Sequence, residues 1–296
     1  MSAPGPGRPP AGPAAQAAAV LAALEPGGSF DTRGGGNCLV LLGAEHVVRV
    51  GLSFALRICA EQRVWTEARR VGAPAPQARA SGVLEGGLPY QVYRRVDGRA
   101  PRSEAEWARV GEVAARLHTR ADPGPFDTGD HPLPRRRDRY GTALEHVRSA
   151  MVPAAAAELV RAAERDARRS EGARVALHGD LREDNLLVSG RELVAVLDWS
   201  DAALGSPEAE WAAVPPARWA AFGRGYRSAG GRAPDLRLAA GHALARAAAL
   251  EHAGVLGRGA TADLWEQLRP HCARAGAVTV PHPPTQAPVP REGTPT

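Results

Sequence analysis

Residues 177–188 read LHGDLREDNLLV, and residues 196–200 read VLDWS. In both stretches, apolar residues flank the polar ones, and the pair Ser189-Gly190 lies between the two stretches. This pattern predicts a tight loop followed by two short strands. Such an arrangement brings the side chains of Asp180, Asn185 and Asp198 to one place.

These three side chains suit phosphoryl transfer from a nucleotide. One carboxylate is needed to orient the attacking hydroxyl and accept its proton, while a second carboxylate and an amide oxygen hold Mg²⁺ against the phosphate oxygens. Mg²⁺ prefers hard oxygen ligands, which explains Asp and Asn in place of His or Cys. The alternative interpretation is that these polar residues only cap turns around a hairpin.

His178-Gly179-Asp180, with Asn185 five positions after the aspartate, resembles the H-R-D-x-x-x-x-N catalytic loop of protein kinases. Glycine in second place is the form used by aminoglycoside phosphotransferases and their choline kinase-like relatives, and Asp198 resembles the metal-binding aspartate of the family. The resemblance implies an α+β, bilobal protein kinase-like fold, with a small β-rich N-lobe and a larger, mainly helical C-lobe. It also implies an ATP-dependent small-molecule kinase in which Asp180 is catalytic and Asn185 and Asp198 bind Mg²⁺. His178 is expected to hold the loop by hydrogen bonds and is not proposed as a base.

Residues 205–212, GSPEAEWA, resemble the G-D-P-x-x-D-L-A segment that follows in the family. Ser206, Glu210 and Trp211 depart from that pattern, so the resemblance assigns no role to this segment.

The N-terminal half contributes the predicted nucleotide contacts. Residues 34–37, GGGN, precede the first predicted strand, and the backbone at Gly35 and Gly36 is a candidate for close approach to phosphate. A plain turn explains the same glycines equally well. Arg49 lies where the family places its phosphate-contacting cation, and Glu61 matches the acidic partner of that cation. The alternative is that both are ordinary surface charges.

The chain divides near Asp97 into a strand-rich part and a helical part. Strands are predicted over residues 38–42, 46–50, 78–84 and 90–96, with a helix over 56–71. Ser103 opens the helical part with a capping box, and helices are predicted over residues 103–118, 140–150, 154–169, 217–227, 235–253 and 261–272. The predicted organisation is a disordered tail (1–13), a nucleotide-binding N-lobe (14–97), a catalytic and acceptor-binding C-lobe (98–277) and a second disordered tail (278–296).

Composition restricts the possible partners. The net charge is +5, and all 37 basic residues are Arg. These cations are scattered and few aromatic residues lie between them, which argues against a nucleic-acid partner. The longest apolar runs are too short to span a bilayer, and the N-terminus does not read as a signal peptide. We therefore expect a cytoplasmic protein with no membrane partner, and the oligomeric state stays open.

The acceptor is expected to be a small molecule, and a cationic one would need carboxylates to offset its lost hydration. The nearest carboxylates in sequence are Asp201, Glu208 and Glu210, with Glu251 and Glu266 on later helices. They predict an aminoglycoside or other amine-bearing acceptor bound through Asp201 and Glu208, unless they are solvated helix charges. A catalytically inactive nucleotide-binding protein on the same fold is the alternative to a kinase.

Overall fold

A computed structural model describes residues 12–35, 38–52, 55–126, 136–149, 152–169 and 174–275. The predicted disordered tail at 278–296 lies outside these residues, as do residues 1–11 of the predicted N-terminal tail. The first helix, α1 (Pro13–Leu24), begins inside that predicted tail. Proline is tolerated there because the first helical position has no intrahelical N–H bond to lose.

The N-lobe is built on a five-stranded antiparallel sheet with the strand order β1-β2-β3-β5-β4. Its strands are β1 (Asp31–Gly35), β2 (Cys38–Leu42), β3 (His46–Gly51), β4 (Ala78–Val83) and β5 (Pro89–Arg94). A helix, α2 (Ala55–Arg70), connects β3 to β4.

The alternation of side chains along the strands gives the sheet two different faces. Val48 and Val50 of β3 are buried in an apolar cluster with Ala17 and Leu21 of α1. The intervening Arg49 points into the cleft on the opposite face, which also contacts the C-lobe. One strand therefore supplies both the small core of the N-lobe and a charged group for the cleft.

The C-lobe is mainly helical. Its helices are α3 (Glu104–Arg120), α4 (Arg136–Ser149), α5 (Ala154–Arg169), α6 (Trp219–Ser228), α7 (Leu236–His252) and α8 (Ala260–Ala275). Helices α3 and α6 cross in backbone contact, because a Cβ atom at Gly225 would lie only 1.7 Å from the carbonyl oxygen of Ala108. Within the described residues, none of the helices has the length and apolarity needed to cross a membrane.

Two short strand pairs interrupt the helices. Strand β6 (Val175–Leu177) pairs with β9 (Ala203–Gly205), and β7 (Leu186–Ser189) forms a hairpin with β8 (Glu192–Val196). The hairpin is the one that the sequence predicts. Because β6 ends where the loop at residues 178–182 begins, and β8 ends just before Asp198, the two pairs set the positions of the predicted catalytic residues.

The strand β1 is the main element that the sequence does not predict. Gly34 and Gly35, expected to precede the first strand, instead pair with Leu39 and Cys38 of β2. Glycine has low strand propensity and no side chain to alternate, so β1 carries no periodic signal. Its pairing with the strongly apolar β2 overrides that weakness. Gly36 and Asn37, which join the two strands, lie outside the described residues.

The start of α3 is held by the predicted capping box. The Ser103 hydroxyl accepts a hydrogen bond from the Glu106 N–H, and the Glu106 carboxylate accepts one from the Ser103 N–H at 2.9 Å. Arg99 lies 2.6 Å from the same carboxylate. The Arg99 side chain, and then the N–H groups of Ser103 and Arg102, lower the pKa of Glu106 to about 2.

We expect Glu106→Gln to lower the free energy of unfolding, and the loss to depend on pH. Because the folded-state pKa is depressed, the carboxylate stabilises the fold above its ordinary value of 4.5, and this contribution disappears as the pH falls to about 2. Urea denaturation at several pH values measures the effect. The matched variant Ser103→Ala should cost about 1 kcal/mol with no such pH dependence. An effect of Glu106→Gln that stays constant down to the lowest pH would contradict this account.

Candidate active site

The predicted catalytic loop follows β6 directly. Gly179 has φ of 83°, in the left-handed region that glycine enters without steric cost. This turn brings Asp180 back against the protein, where the residue is only 6% exposed. A 3-10 turn at Glu183–Asn185 follows and places Asn185 beside Asp180.

The carboxylate of Asp180 is surrounded by hydrogen-bond donors. Asn185 donates from Nδ2 to the Oδ2 atom of Asp180 at 2.8 Å and to its backbone carbonyl at 2.9 Å. Arg246 of α7 donates to Oδ1 at 2.5 Å, and Nε of Arg182 lies 3.2 Å from Oδ2. Since the amide nitrogen of Asn185 is used on Asp180, its oxygen is the atom left for a cation.

His178 links the loop to the strand that carries Asp198. Its Nδ1 atom accepts a hydrogen bond from the Asp180 N–H at 3.1 Å, and its Nε2 atom donates to the Leu197 carbonyl at 3.0 Å. These two bonds select the neutral tautomer with the proton on Nε2. The ring also packs edge-on against Trp199, with 4.5 Å between centroids. The expected structural role of His178 is confirmed by these contacts.

Glu210, which the sequence offers only as a candidate carboxylate for a cationic acceptor, instead holds the same loop. Its two carboxylate oxygens accept hydrogen bonds from the N–H groups of His178 and Gly179, each at 2.8 Å. The residue is completely buried. Burial raises the pKa of Glu210, but the hydrogen bond and charge of His118, together with the Gly179 N–H, outweigh it and bring the pKa below its ordinary value. The buried carboxylate is therefore ionised when it binds the loop.

Asp198 has an uncommon, left-handed backbone conformation. Its φ of 56° is the only positive value among the described residues other than glycine, and such a conformation costs on the order of 1 kcal/mol or more. Leu197 holds it in place by donating its N–H to the Asn185 carbonyl at 2.7 Å. The Ser200 hydroxyl donates to Oδ1 of Asp198 at 2.8 Å. The segments that carry Asn185 and Asp198 are thus tied together by the backbone.

Arg49 joins the two lobes at this point. Its guanidinium lies 2.5 Å from Glu61 on α2 and 3.1 Å from Asp198. Burial alone would lower the pKa of Arg49, but the carboxylates of Glu61 and Asp198 outweigh it and raise the pKa. Burial likewise acts to raise the pKa of Asp198, and Arg49 and Ser200 reverse the effect and lower it. Arg49 and Glu61 are therefore a buried pair and not ordinary surface charges.

A cleft between the lobes is lined by Arg49 and Asp198. Val40 and Val47 of the sheet lie on one side, and Leu187 and Leu197 of the C-lobe lie on the other. The remaining lining residues are Arg33, Cys38, Leu42, Arg49, Trp65, Pro76, Tyr93, Arg94, Arg95, Val96, Asp97, Gly98, Asp184, Asn185 and Asp198. Apolar walls with a polar end suit a flat aromatic base that carries phosphate groups.

The other predicted site residues have different outcomes. Gly35 lies in β1, and Gly36 lies outside the described residues. Asp201 is partly buried in the 3-10 turn that follows Asp198. Glu208 is only 3% exposed, and its carboxylate accepts hydrogen bonds from Ser206, from Arg232 and from a backbone N–H. The contact of Glu208 with the acceptor stays a prediction, and these bonds disfavour it because its oxygens already serve the protein.

Two basic residues at Asp180 are not found by sequence reasoning. Arg182 lies two positions after Asp180, and its closeness in sequence is the only signal that it carries. Arg246 lies 66 positions away on α7, with no motif around it. Only the packing of α7 within the C-lobe brings Arg246 to the loop.

Solved structures with a similar fold include the GDP complex of wild-type aminoglycoside 2'-phosphotransferase-IIIa, with a TM-score of 0.63 and 15% identity over 87% of this chain and 97% of that chain. Macrolide 2'-phosphotransferase MphH from Brachybacterium faecium gives 0.59 and 21% over 86% and 98%. The streptomycin-ATP-APH(2")-IIa ternary complex gives 0.54 and 12% over 87% and 96%. At these identities, the likeness shows a shared fold.

A search of curated proteins finds no match to the chain. The family model named APH, described as the phosphotransferase enzyme family, matches residues 37–250. These residues include Arg49, Glu61, Asp180, Asn185 and Asp198 and make up well over half of the sequence. The chain therefore belongs to the phosphotransferase enzyme family.

Proposed function

We propose that the chain transfers the γ-phosphoryl group of ATP, in the presence of Mg²⁺, to a hydroxyl group of a small molecule. The observation that carries this proposal is that Asn185 and Asp198 both line the cleft while the Asn185 amide binds the Asp180 carboxylate. The fold relatives include complexes named for GDP and for ATP, which supports a nucleotide in the cleft. The choice of ATP over GTP belongs to the proposal and is decided by comparing the two in the same assay.

The residues present fit a magnesium site. Asp198 and Asn185 offer a carboxylate and an amide oxygen, which are the hard donors that Mg²⁺ prefers. Mg²⁺ held there would offset the negative charge of the phosphate oxygens. Arg49, already beside Asp198, is placed to contact the same phosphates.

In this proposal, Asp180 serves the acceptor. Its carboxylate would accept a hydrogen bond from the acceptor hydroxyl and orient it toward the γ-phosphorus. As the new oxygen–phosphorus bond forms, the bond from the γ-phosphorus to the bridging oxygen breaks, ADP leaves, and the hydroxyl proton passes to Asp180. Asn185 keeps the carboxylate in position through its hydrogen bond to Oδ2.

A catalytically inactive nucleotide-binding protein remains the alternative function. The presence of Asp180, Asn185 and Asp198 in one site disfavours it, because a binding protein needs no base beside its metal ligands. The acceptor class is a separate question. An amine-bearing acceptor now rests on Asp201 alone, because Glu208 is engaged inside the protein, so we leave the amine out of the proposal.

We expect Asp180→Asn to reduce ADP formation by roughly 10² to 10⁴, because the amide cannot accept the proton. ATP affinity, measured by calorimetry, should stay close to that of the wild type. Glu183→Gln, which changes an exposed carboxylate in the adjacent turn, is the matched control and should retain turnover. Near-normal ADP formation by Asp180→Asn would remove Asp180 from the mechanism and favour another base.

We expect Asp198→Ala to weaken the binding of Mg²⁺–ATP by roughly tenfold or more, because the metal and its charge compensation are lost. ATP titrated without Mg²⁺ should bind the variant no more weakly than it binds the wild type. Calorimetric titrations with and without the metal provide the comparison. Equal affinity of both proteins for Mg²⁺–ATP would show that Asp198 is not a metal ligand.

We expect Glu210→Gln to lower kcat by roughly 10- to 100-fold while the KM for ATP changes little, because a loosened loop misplaces Asp180. The amide can accept on one atom only, so one of the two loop N–H groups loses its acceptor. Glu208→Gln is the matched control. Glu208 is a buried carboxylate in the same 3-10 turn, Pro207–Ala213, but it accepts hydrogen bonds from Ser206, Arg232 and the Asp235 N–H and not from the loop. If both variants lose only stability and keep the same kcat, Glu210 does not position the loop.

A further inference from the structure

A small pocket in the C-lobe opens beside the catalytic loop, and we call it the Arg246 pocket. The loop contributes Gly179, and the 3-10 turn Pro207–Ala213 contributes two alanines, Ala209 and Ala212. Ala245 and Arg246 come from α7. Because Arg246 also binds Asp180, a molecule in this pocket lies next to the predicted base.

Two further polar residues line the pocket, and they bind each other. His242 of α7 bonds through Nδ1 to the Tyr140 hydroxyl at 2.6 Å and through Nε2 to Asp166 at 3.3 Å. Both ring nitrogens of His242 are therefore engaged within the protein. Among the described residues that line the pocket, Arg246 supplies the charged group.

The charges around the pocket favour a negative ligand. Two guanidinium groups, Arg246 and Arg182, share the single carboxylate of Asp180 at 2.5 and 3.2 Å. The other carboxylate that contacts the loop, Glu210, is fully buried and bonded to backbone N–H groups. None of the described residues that line the pocket carries a carboxylate, and Asp166, which binds the far side of the lining residue His242, is not among them. A cationic acceptor would meet a like charge here with no acidic side chain in the lining to offset it.

We propose that the Arg246 pocket binds an anionic group of the acceptor, a carboxylate or a phosphate, which lies close to the hydroxyl that is phosphorylated. This inference rests on the proposed function, because it takes Asp180 as the group that meets the hydroxyl. A guanidinium has five N–H donors. Arg246 uses one nitrogen on Asp180 and directs another toward the Gly179 carbonyl at a long 3.4 Å, so it retains donors for a ligand.

The same contact gives the anion a second effect. Asp180 already accepts hydrogen bonds from Arg246 and Asn185 and lies within reach of Arg182, while a carboxylate offers about four acceptor positions. An acceptor anion that draws Arg246 toward itself would free Oδ1 of Asp180 for the incoming hydroxyl. A neutral acceptor lacks this means of displacing the guanidinium, so Arg246 would determine specificity.

The test uses four acceptors with related carbon skeletons, which are gluconate, glucose 6-phosphate, glucose and glucosamine, together with kanamycin. Phosphorylation is measured with purified full-length enzyme, ATP and Mg²⁺. We expect kcat/KM for gluconate or glucose 6-phosphate to exceed the values for glucose and glucosamine by roughly tenfold or more. The two acids distinguish a carboxylate site from a phosphate site. A preference for glucosamine or kanamycin overturns the proposal.

Variants separate recognition by Arg246 from a merely structural role. Arg246→Gln should raise the KM for the preferred acid by roughly 10- to 100-fold and raise the KM for glucose much less, and Arg246→Lys should recover part of the affinity. Arg237→Gln, an exposed change on the same helix, is the matched control. Equal losses with every acceptor and in basal hydrolysis would overturn the proposal, since a structural role predicts that result. If Arg246→Gln does not fold, the proposal is decided by the order of kcat/KM values that the wild type gives for the acceptors.

Calorimetry covers the case in which none of the five acceptors is phosphorylated. Inorganic phosphate and gluconate are then titrated into the ADP-loaded wild type and the ADP-loaded Arg246→Gln variant. Weaker binding of an anion by the variant supports the proposal, and equal or absent binding in both proteins overturns it. Failure of the proposed function has a different signature, because Asp180→Asn would then hydrolyse ATP as fast as the wild type.

Discussion

The buried carboxylate of Glu210 determines the shape of the catalytic loop, and most of the site depends on that shape. An ionised carboxylate without solvent is stable only when donors surround it. Here the donors are the N–H groups of His178 and Gly179. Because the carboxylate must keep both hydrogen bonds, the backbone at these two residues is held in one conformation. From the fixed loop, His178 reaches the carbonyl before Asp198. The predicted base and the predicted metal ligand therefore share one support.

The predicted base and the predicted metal ligand are both paired with guanidinium groups. Asp198 lies beside Arg49, and Asp180 lies beside Arg246 and Arg182. These pairs compensate both negative charges and hold the carboxylates in place. A bound nucleotide and acceptor would bring further negative charge, and the same cations would then be available to it. The site is in this sense organised for anions as well as for the metal that the carboxylates would hold.

The sequence predicts those parts of the fold and the site that depend on neighbouring residues. The loop with Asp180 and Asn185, the hairpin before Asp198 and the capping box at Ser103 all have local signatures. Strand β1 has none, because its glycines follow the pairing of another strand. Arg246 reaches Asp180 only through helix packing, which no spacing in the sequence reveals. Glu210 stands where the family segment G-D-P-x-x-D-L-A has its second aspartate, and its side chain is one methylene longer. A comparison of motifs cannot tell whether the longer side chain still reaches the loop, but the structure shows that it does.

The choice of arginine at position 49 has a consequence for chemical labelling. Arg49 contacts Glu61 and Asp198 through different nitrogens of one planar group, and a lysine amine could not reproduce that fork. The whole chain contains no lysine. A nucleotide analogue that acylates an amine near its phosphates would therefore find no lysine to modify in this cleft. The chain would stay unlabelled even with the proposed nucleotide site fully occupied by the analogue.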